Sequence, residues 1–236
     1  MWKQSFCVEV ERVSTGSEPI NSFLSGGLET GIITNVFGES GSGKTNFCVQ
    51  AAAHLAEEGE KVVYIDTEKG FSPERFKQIA SKKALENIVL NEPLDFGQQE
   101  DAINSLEEIA EEHDPGIVIV DSMVSLYRLK AKGNQVQEVN QKLSQQLSQL
   151  SKIARKNNIP VLVTNQVYSS FDEDSIELVG SDVPRYWSKC LLKLSNSDKS
   201  VREIEIEKHR SMPEGKSSQF KITDEGLESV KNKGLF

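Results

Sequence analysis

Cysteine is scarce in this sequence, and its three copies are isolated. Cys7, Cys48 and Cys190 lie far apart, and no two cysteines have the CxxC spacing. An odd number of separated cysteines argues against a disulfide framework and against a zinc site. We therefore expect buried, reduced thiols and an intracellular, cytoplasmic setting.

Long apolar runs and an excess of positive charge are also missing. No uninterrupted apolar run exceeds four residues, and residues 1–9 contain no apolar signal core, so we expect neither a membrane span nor a signal peptide. The chain has 27 Lys and Arg residues against 36 Asp and Glu residues, a net charge of −9. This balance argues against a generally basic nucleic-acid surface but leaves room for a local basic groove.

The sequence does contain one glycine-rich loop that fits the phosphate-binding pattern G-x-x-x-x-G-K-[ST]. Its residues are Gly38, Glu39, Ser40, Gly41, Ser42, Gly43, Lys44 and Thr45. The apolar residues 32–37 before it predict a buried strand, and residues 47–56 after it predict a helix. Because strand, glycine loop and helix are the context that the motif requires, we interpret it as a P-loop rather than a chance turn.

The residue types of this loop match the parts of a magnesium nucleotide. Glycines let the backbone bend so that its N–H groups reach phosphate oxygens, and the start of the following helix adds partial positive charge. Lys44 is expected to contact the β- and γ-phosphates, and the Thr45 hydroxyl is expected to bind Mg²⁺. We therefore predict ATP and Mg²⁺ as the cofactors.

Strands and helices alternate along most of the chain. Apolar segments predict strands at residues 32–37, 61–66, 87–90, 116–121 and 160–164, and short strands joined by turns at 190–194, 201–208 and 219–222. Helical spacing predicts one helix over 97–112, with an acidic outer face, and a long helix whose apolar stripe runs from Val136 to Ile153. We predict an α/β fold with a mainly parallel twisted sheet, helices on both faces and antiparallel strands at the C-terminal edge. No linker is evident, so we expect one domain over residues 1–236, with 1–30 as a lead-in.

Several polar residues follow the predicted strands at their carboxyl ends. In a parallel sheet these ends lie along one rim, where ligands bind. Asp121 follows four apolar residues and is expected to hold Mg²⁺ through water or through Thr45. Glu68 is expected to orient or deprotonate the attacking water, ahead of Asp66, which lies closer to the strand body. Gln166 either senses the γ-phosphate or ends its strand without a chemical role.

These stretches, with others in the same order, resemble the core of the RecA/RadA recombinase family. The matching segments are Ser14-Thr15-Gly16-Ser17, Gly26-Gly27, Glu29-Thr30-Gly31, the P-loop, Tyr64-Ile65-Asp66-Thr67-Glu68, Pro73-Glu74-Arg75, Val120-Asp121-Ser122, Val163-Thr164-Asn165-Gln166-Val167, Pro213-Glu214-Gly215 and Phe220-Lys221-Ile222-Thr223. The resemblance covers roughly residues 12 to 230 and is far more specific than the P-loop alone. It implies a RecA-like core and a nucleoid-associated protein.

The resemblance also implies roles for individual residues. Glu68 is the catalytic carboxylate, Asp121 is the Walker B acid, and Gln166 is the nucleotide-state sensor at the head of the second DNA-binding loop. Arg75 stacks on the adenine, with a surface salt bridge as the alternative. Lys44 completes the expected catalytic set.

A basic pair near the C-terminal strands has two interpretations. Lys208 and Arg210 are two residues apart, so on a strand they point to the same side. In related hexameric RecA-fold ATPases a Lys-x-Arg at this place reaches the γ-phosphate of the neighbouring subunit, which implies trans-acting fingers and a homo-oligomer. The alternative is a solvated basic strand end or a DNA contact.

Departures from the recombinase pattern narrow the functional interpretation. RadA-type recombinases carry an N-terminal helix-hairpin-helix domain, which we do not expect here, and a Phe-x-x-Ala tether. The nearest tether candidate, Phe6-Cys7-Val8-Glu9, ends in glutamate. Residues 169–179, where the second DNA loop is expected, contain four acids and no Lys or Arg, and acids repel a phosphate backbone.

Basic residues do occur where the first DNA-binding loop is expected. The candidate DNA contacts are Arg128, Lys130 and Lys132. Tyr127 beside them either stacks on a base or is buried. With three basic residues we expect weak, sequence-independent DNA binding.

A short core with these losses resembles an archaeal RadA paralogue. That resemblance implies a DNA-binding accessory protein of recombination and repair with weak ATPase activity and no strand exchange, whose partners are a recombinase or a Holliday-junction resolvase. Three alternatives stay open at this point. They are a full strand-exchange recombinase, a nucleotide-gated mediator that hydrolyses little ATP, and a KaiC-like signalling ATPase, for which the second half of a tandem repeat is missing.

Overall fold

The computed structural model describes residues 10–169, 176–180, 182–198 and 200–230. Within these ranges the strands are β1 (Arg12–Val13), β2 (Leu28–Glu29), β3 (Ile33–Gly38), β4 (Lys61–Asp66), β5 (Ile88–Asn91), β6 (Pro115–Asp121), β7 (Val161–Ser169), β8 (Ile176–Leu178), β9 (Cys190–Asn196), β10 (Val201–His209), β11 (Ser217–Thr223) and β12 (Gly226–Ser229). The α-helices are α1 (Glu18–Phe23), α2 (Lys44–Glu57), α3 (Pro73–Ile79), α4 (Phe96–Asn104), α5 (Leu106–His113), α6 (Ser125–Lys130), α7 (Val136–Asn157) and α8 (Asp182–Trp187).

One large sheet organises the molecule. Its strand order is β12-β11-β10-β9-β3-β7-β6-β4-β5, and β8 pairs with β7. The strands from β9 to β5 in this order are parallel, whereas β10, β11 and β12 are antiparallel to their neighbours. The predicted mainly parallel sheet with antiparallel strands at its C-terminal edge is confirmed.

Helices cover both faces of this sheet, as predicted. Along β4, Val62 and Tyr64 belong to the apolar core that contains α2, whereas Val63 and Ile65 belong to the core that contains α7. Successive side chains of a strand point to opposite faces of the sheet. Because both faces of β4 are buried, these four residues form an uninterrupted apolar run. The sheet is therefore the wall between two cores, and its carboxyl rim is left for polar residues.

Helix α7 forms because its apolar residues recur at helical spacing. Val139, Leu143, Leu147 and Ile153 are buried, with exposed fractions of 2% or less. Val136, which the sequence placed on the same stripe, is 39% exposed. It is the first residue of the helix and lies beyond the part that packs on the sheet, so its inclusion in the stripe was wrong.

The acidic segment predicted as one helix is two helices, α4 and α5. The break is at Ser105, whose hydroxyl donates to the carbonyl of Ala102 and competes with the helical ladder. The acids of this segment meet lysines of α7 rather than water alone. Lys152 Nζ lies 2.9 Å from Glu107 Oε1. These pairs are exposed to solvent, which screens them, so they contribute little to stability.

The described ranges contain several elements that the sequence interpretation did not anticipate, namely α6, α8, β8 and β12. All are short, at three to six residues, so they carry little periodic signal. The tether candidate at residues 6–9 lies outside the described residues.

Two consecutive glycines connect α1 to β2 in left-handed conformations. Gly26 has φ of 123° and Gly27 has φ of 126°. A Cβ at Gly27 would lie 2.1 Å from the carbonyl oxygen of Val13, whereas a Cβ at Gly26 would meet nothing closer than 3.6 Å. Gly27 is therefore required both by its backbone conformation and by the close approach of β1.

We expect Gly27→Ala to destabilise the fold more than Gly26→Ala. Left-handed backbone costs an alanine about 1–2 kcal/mol at either position. The clash with Val13 adds about 1–3 kcal/mol at Gly27 alone, since the neighbouring backbone must move. Urea unfolding of both variants measures the difference, and equal losses would contradict the close approach.

Candidate functional site

The glycine loop lies between β3 and α2, as predicted. Strand β3 ends at Gly38, α2 begins at Lys44, and Gly43 precedes the helix with φ of 103°. A side chain at Gly43 is disfavoured twice, because its φ is left-handed and because a Cβ would lie 2.9 Å from Ile222 Cδ1. The helix N-terminus and its unpaired backbone N–H groups are a suitable site for an anion.

Lys44 is buried at the base of this loop. Its Nζ donates hydrogen bonds to the carbonyl oxygens of Gly38 at 2.9 Å and of Glu39 at 2.8 Å. Burial lowers the pKa of Lys44, and the carboxylates of Asp121 and Glu68 act in the opposite direction. An ammonium group has three donors, so one remains for a phosphate oxygen.

Asp121 is buried at the carboxyl end of β6. Its carboxylate accepts hydrogen bonds from Tyr64 Oη at 3.1 Å, from Thr164 Oγ1 and from Thr45. Burial raises the pKa of Asp121, while the hydroxyls of Thr164 and Thr45 lower it. The carboxylate and the Thr45 hydroxyl thus place oxygen atoms next to each other at the end of the P-loop.

This pair of oxygens fits Mg²⁺ in the presence of a nucleotide. Magnesium in phosphoryl-transfer sites uses one or two carboxylates, phosphate oxygens and water rather than a complete protein cage. Among the described residues there is no cluster of three or more His, Cys, Asp and Glu side chains that could hold a metal. The remaining ligands would therefore come from the phosphates and from water.

Asp66 organises the loop that follows β4. Its Oδ1 accepts from the backbone N–H groups of Glu68 at 3.2 Å and Gly70 at 3.1 Å, and its Oδ2 accepts from Phe71 N at 2.8 Å. Its carboxylate oxygens are occupied by the loop itself. This arrangement agrees with ranking Glu68 above Asp66 as the group that meets water.

Glu68 belongs to a chain of polar side chains on the rim. Its Oε1 accepts from Ser122 Oγ at 3.1 Å and from Gln166 Nε2 at 2.8 Å. Gln166 Oε1 in turn accepts from Arg128 Nη1 at 2.5 Å. Residues that follow β4 and β6 are therefore linked by hydrogen bonds to residues of β7 and α6, and a contact made at Arg128 reaches Glu68 through one glutamine.

A cavity of about 490 Å³ opens at this rim. Lys44, Thr45, Glu68, Asp121 and Gln166, which the sequence analysis selected, all line it. The structure thus brings the predicted phosphate, metal and water-activating residues to one place, although their roles stay predictions.

Sequence reasoning missed the part of the cavity lining that comes from the C-terminal region. These lining residues are Ser200, Arg202 and Ile222, which come from the antiparallel strands at the C-terminal edge and the turn before them. A signal for Arg202 exists in the sequence, because it continues the alternation of Ile204 and Ile206 with a charged residue. The placement of these strands beside the P-loop is a long-range property that no local pattern gives.

Arg75 connects the start of α2 to the C-terminal hairpin. Its Nε donates to Asn46 Oδ1 at 3.0 Å, and its Nη1 donates to the Thr223 carbonyl at 2.6 Å and to Gln78 Oε1 at 2.7 Å. Burial lowers the pKa of Arg75, and Asp224 acts in the opposite direction. These bonds lie in the guanidinium plane and hold it rigidly, and stacking of adenine on its face stays a prediction.

Lys208 and Arg210 lie at the end of the sheet opposite to the P-loop rim. Lys208 pairs with Leu191 at the start of β9, and its Nζ donates at 2.9 Å to the carbonyls of Arg185 and Ser188. Arg210 Nη2 forms an ion pair with the buried carboxylate of Glu29. Neither cation reaches the nucleotide cavity of its own chain, so a role at a γ-phosphate requires a second subunit and stays a prediction.

The candidate DNA contacts Arg128, Lys130 and Lys132 are exposed on and after α6. Tyr127 is buried, its ring lies 6.1 Å from that of Phe96, and its hydroxyl donates to Asn140 at 2.5 Å. Burial was one of two alternatives for this tyrosine, and base stacking would require it to leave the core.

Two other expectations concern the acidic loop and membrane-spanning helices. Most of the acidic loop expected at 169–179 falls on residues 170–175, outside the described ranges. In the described part of the chain, no helix combines the length and the apolar character that crossing a bilayer requires.

The fold and the rim together define a P-loop nucleotide-binding protein with a RecA-like core. The Rad51 family model matches residues 7–230 of this chain. The "DNA repair and recombination protein RadB" of Methanoculleus marisnigri is 41% identical over 228 residues, which cover 94% of this chain and 100% of that protein. The protein of the same name from Methanococcoides burtonii is 38% identical over 221 residues, covering 92% and 97%.

A solved structure agrees with these sequence relatives. The "Crystal structure of the RadB recombinase" has a TM-score of 0.79 and 35% identity, and the match covers 92% of this chain and 99% of that one. The chain therefore belongs to the RadB group of the Rad51 family, as the resemblance to an archaeal RadA paralogue implied.

We expect Glu68→Gln to keep Mg-ATP binding and to lower hydrolysis by roughly 10²- to 10⁴-fold. Glutamine retains the Oε1 acceptor for Gln166 and Ser122, but its amide does not accept a proton at neutral pH. Calorimetry measures binding, and phosphate release measures turnover.

Two variants make this comparison specific. Lys44→Ala is expected to lose tight Mg-ATP binding itself, whereas Glu74→Gln, which removes an exposed carboxylate in the first turn of α3, is expected to change neither property. Unchanged turnover in Glu68→Gln would move the water-activating role to another residue.

Proposed function

We propose that this protein is an ATP- and Mg²⁺-binding, DNA-binding accessory protein of homologous recombination and repair. It hydrolyses ATP slowly and exchanges no strands on its own. The observation that carries the nucleotide part is the convergence of Lys44, Thr45, Asp121 and Glu68 on one cavity. Membership of the RadB group of DNA repair and recombination proteins supports the recombination part.

The side chains divide the hydrolytic reaction between them. The P-loop N–H groups and Lys44 bind the phosphates. Asp121 and Thr45 would hold Mg²⁺, which would supply neutralising charge for the phosphate oxygens. Glu68 takes a proton from the attacking water while the oxygen of that water bonds to the γ-phosphorus. The bond between the γ-phosphorus and the bridging oxygen of ADP breaks, and phosphate is released. Gln166 contacts Glu68 directly and is placed to report the state of the γ-phosphate.

Slow turnover is supported by the contacts of Glu68. Its Oε1 already accepts from both Ser122 and Gln166. At least one of these hydrogen bonds must be exchanged for water before the carboxylate acts as a base, which adds a conformational step to hydrolysis. A ligand that draws Arg128 away from Gln166 would favour that exchange, so DNA is expected to stimulate hydrolysis modestly.

Weak DNA binding is supported by charge. The protein has a net charge of −9, and the second DNA loop expected at 169–179 offers four acids. Arg128, Lys130 and Lys132 are the basic residues left for the phosphate backbone, and they carry no base-reading pattern. The interaction is therefore sequence-independent.

A full strand-exchange recombinase is the second candidate. The similar solved structure is called a recombinase, which favours this candidate, although that word describes the other protein. The acidic loop disfavours it, because the second strand needs cations where this sequence has carboxylates. The proposed protein partners are a recombinase or a Holliday-junction resolvase, and Lys208 and Arg210 are the proposed trans-acting contacts in a homo-oligomer.

We expect the DNA affinity to fall with salt with a slope of about 3 or less, by the rule of roughly one unit for each phosphate contact. Lys130→Gln combined with Lys132→Gln is expected to lower that slope by about 2. Lys77→Gln, an exposed lysine on α3, serves as the control and is expected to leave it unchanged. Fluorescence anisotropy with single-stranded DNA across salt concentrations gives the slope.

Strand exchange decides between the two candidates. The purified protein with ATP and Mg²⁺ is expected to give no product in a strand-exchange assay in which a recombinase serves as positive control. Efficient exchange by this protein alone, or a steep salt slope, would establish the recombinase and overturn the accessory role.

A further inference from the structure

The row of β10 side chains that faces α2 ends in an arginine. Ile204 and Ile206 are buried in the core that contains α2, and Arg202 is the next residue of that row toward the P-loop rim. On the neighbouring strand β11, the residue opposite Arg202 is Phe220, which is fully buried. The alternation of apolar residues along β10 favours an apolar residue at position 202. A charged residue that breaks such an alternation is typical of a functional position.

Contacts within the chain satisfy this arginine only in part. Its Nη1 donates to the carbonyls of Asp198 and Val201 at 3.4 and 3.3 Å, which are long hydrogen bonds. Its Nε is buried and has no hydrogen-bond partner among the described residues. A guanidinium carries five N–H donors, so most of its capacity is unused by these contacts.

The unused donors lie beside the phosphate-binding loop. Arg202 lines the same cavity as Lys44, and its Cγ lies 3.9 Å from the Cβ position of Gly43. The aliphatic part of the side chain therefore packs against the P-loop while the guanidinium is at the cavity wall.

The sheet order decides which part of a nucleotide this arginine meets. Glu68, which follows β4, and Gln166 of β7 are the residues expected near the γ-phosphate, and both strands lie on one side of β3. Arg202 comes from β10 on the other side of β3 and approaches Gly43, the residue that precedes α2, where the inner phosphates of a P-loop nucleotide bind.

We propose that Arg202 binds the α- and β-phosphate oxygens of a nucleotide in its own subunit, acting in cis from the C-terminal strands. This inference rests on the proposed nucleotide site and adds to it a ligand that the P-loop motif does not contain. Because ADP and ATP share these phosphates, Arg202 contributes equally to the binding of both. It therefore retains the product as well as the substrate.

The test compares the binding of MgATP, MgADP and adenosine by calorimetry in two variants. Arg202→Met keeps the length and the apolar stem but removes the charge, and it is expected to weaken MgATP and MgADP binding by about ten- to a hundredfold, the effect of losing one charged hydrogen-bonding partner. Adenosine, which has no phosphate, is expected to bind as it does to the parent protein. Arg202→Lys is expected to recover part of the loss, since it restores the charge but not the planar fork.

A matched control and a separate variant identify the cause of any failure. Lys221→Met removes a cation from the neighbouring strand β11 at a position that does not line the cavity, and it is expected to leave all three affinities unchanged. If Lys44→Ala loses nucleotide binding while Arg202→Met binds MgADP like the parent, Arg202 only packs and this inference is overturned. If Lys44→Ala also binds normally, the proposed nucleotide site itself is wrong. An equal loss for adenosine would likewise overturn the phosphate contact.

Discussion

The register of the parallel strands is the constraint on which the site depends. Gly38 of β3 pairs with Gln166 of β7, and Asp66 of β4 pairs with Asp121 of β6. Since Val120 of β6 pairs with Val163 of β7, the ends of β3, β4 and β6 lie within about two residues of one another along β7. Since side chains alternate between the faces, a slip of one residue in β6 would turn the carboxylate of Asp121 into the opposite core. The two apolar cores prevent that slip, because it would also exchange every buried residue of the strand with its neighbour. Packing thus fixes the chemistry of the rim.

Burial gives the rim its electrostatic character. Lys44 and Asp121 are both largely withdrawn from water, which disfavours each charge alone, and each is stabilised by polar partners nearby. The nearby hydroxyls of Tyr64 and Thr164 hold the carboxylate in one orientation. Under the proposed function, such a site needs little rearrangement to accept a magnesium nucleotide, since these side chains are already positioned and desolvated. Glu68 differs because it is reached from solvent and its hydrogen bonds are exchangeable.

Features with a clear pattern among residues close together in the sequence could be predicted, whereas most features that depend on contacts between distant residues could not. The P-loop, the buried strands and the residues at their carboxyl ends carry local signals, and parallel topology alone places Glu68, Asp121 and Gln166 together. The break at Ser105 depended on a competing side-chain hydrogen bond, which apolar periodicity does not contain. The cavity wall at Arg202 and Ile222 depended on how the C-terminal strands pair, which is determined by contacts far apart in sequence. The burial of Tyr127 against Phe96 is of the same kind.

The contact between the C-terminal strands and the P-loop helix has a consequence for synthesis. Gln50 of α2 accepts a hydrogen bond from the backbone of Leu227, 177 residues later in the chain, and Arg75 holds the carbonyl of Thr223. A ribosome makes the P-loop early, but the wall of its cavity formed by Arg202 and Ile222 is added only near residue 222. At a rate of roughly 5–20 residues per second, the loop spends on the order of ten seconds or more without that wall. A nascent chain halted before β11 would therefore carry the complete P-loop motif without a complete cavity around it.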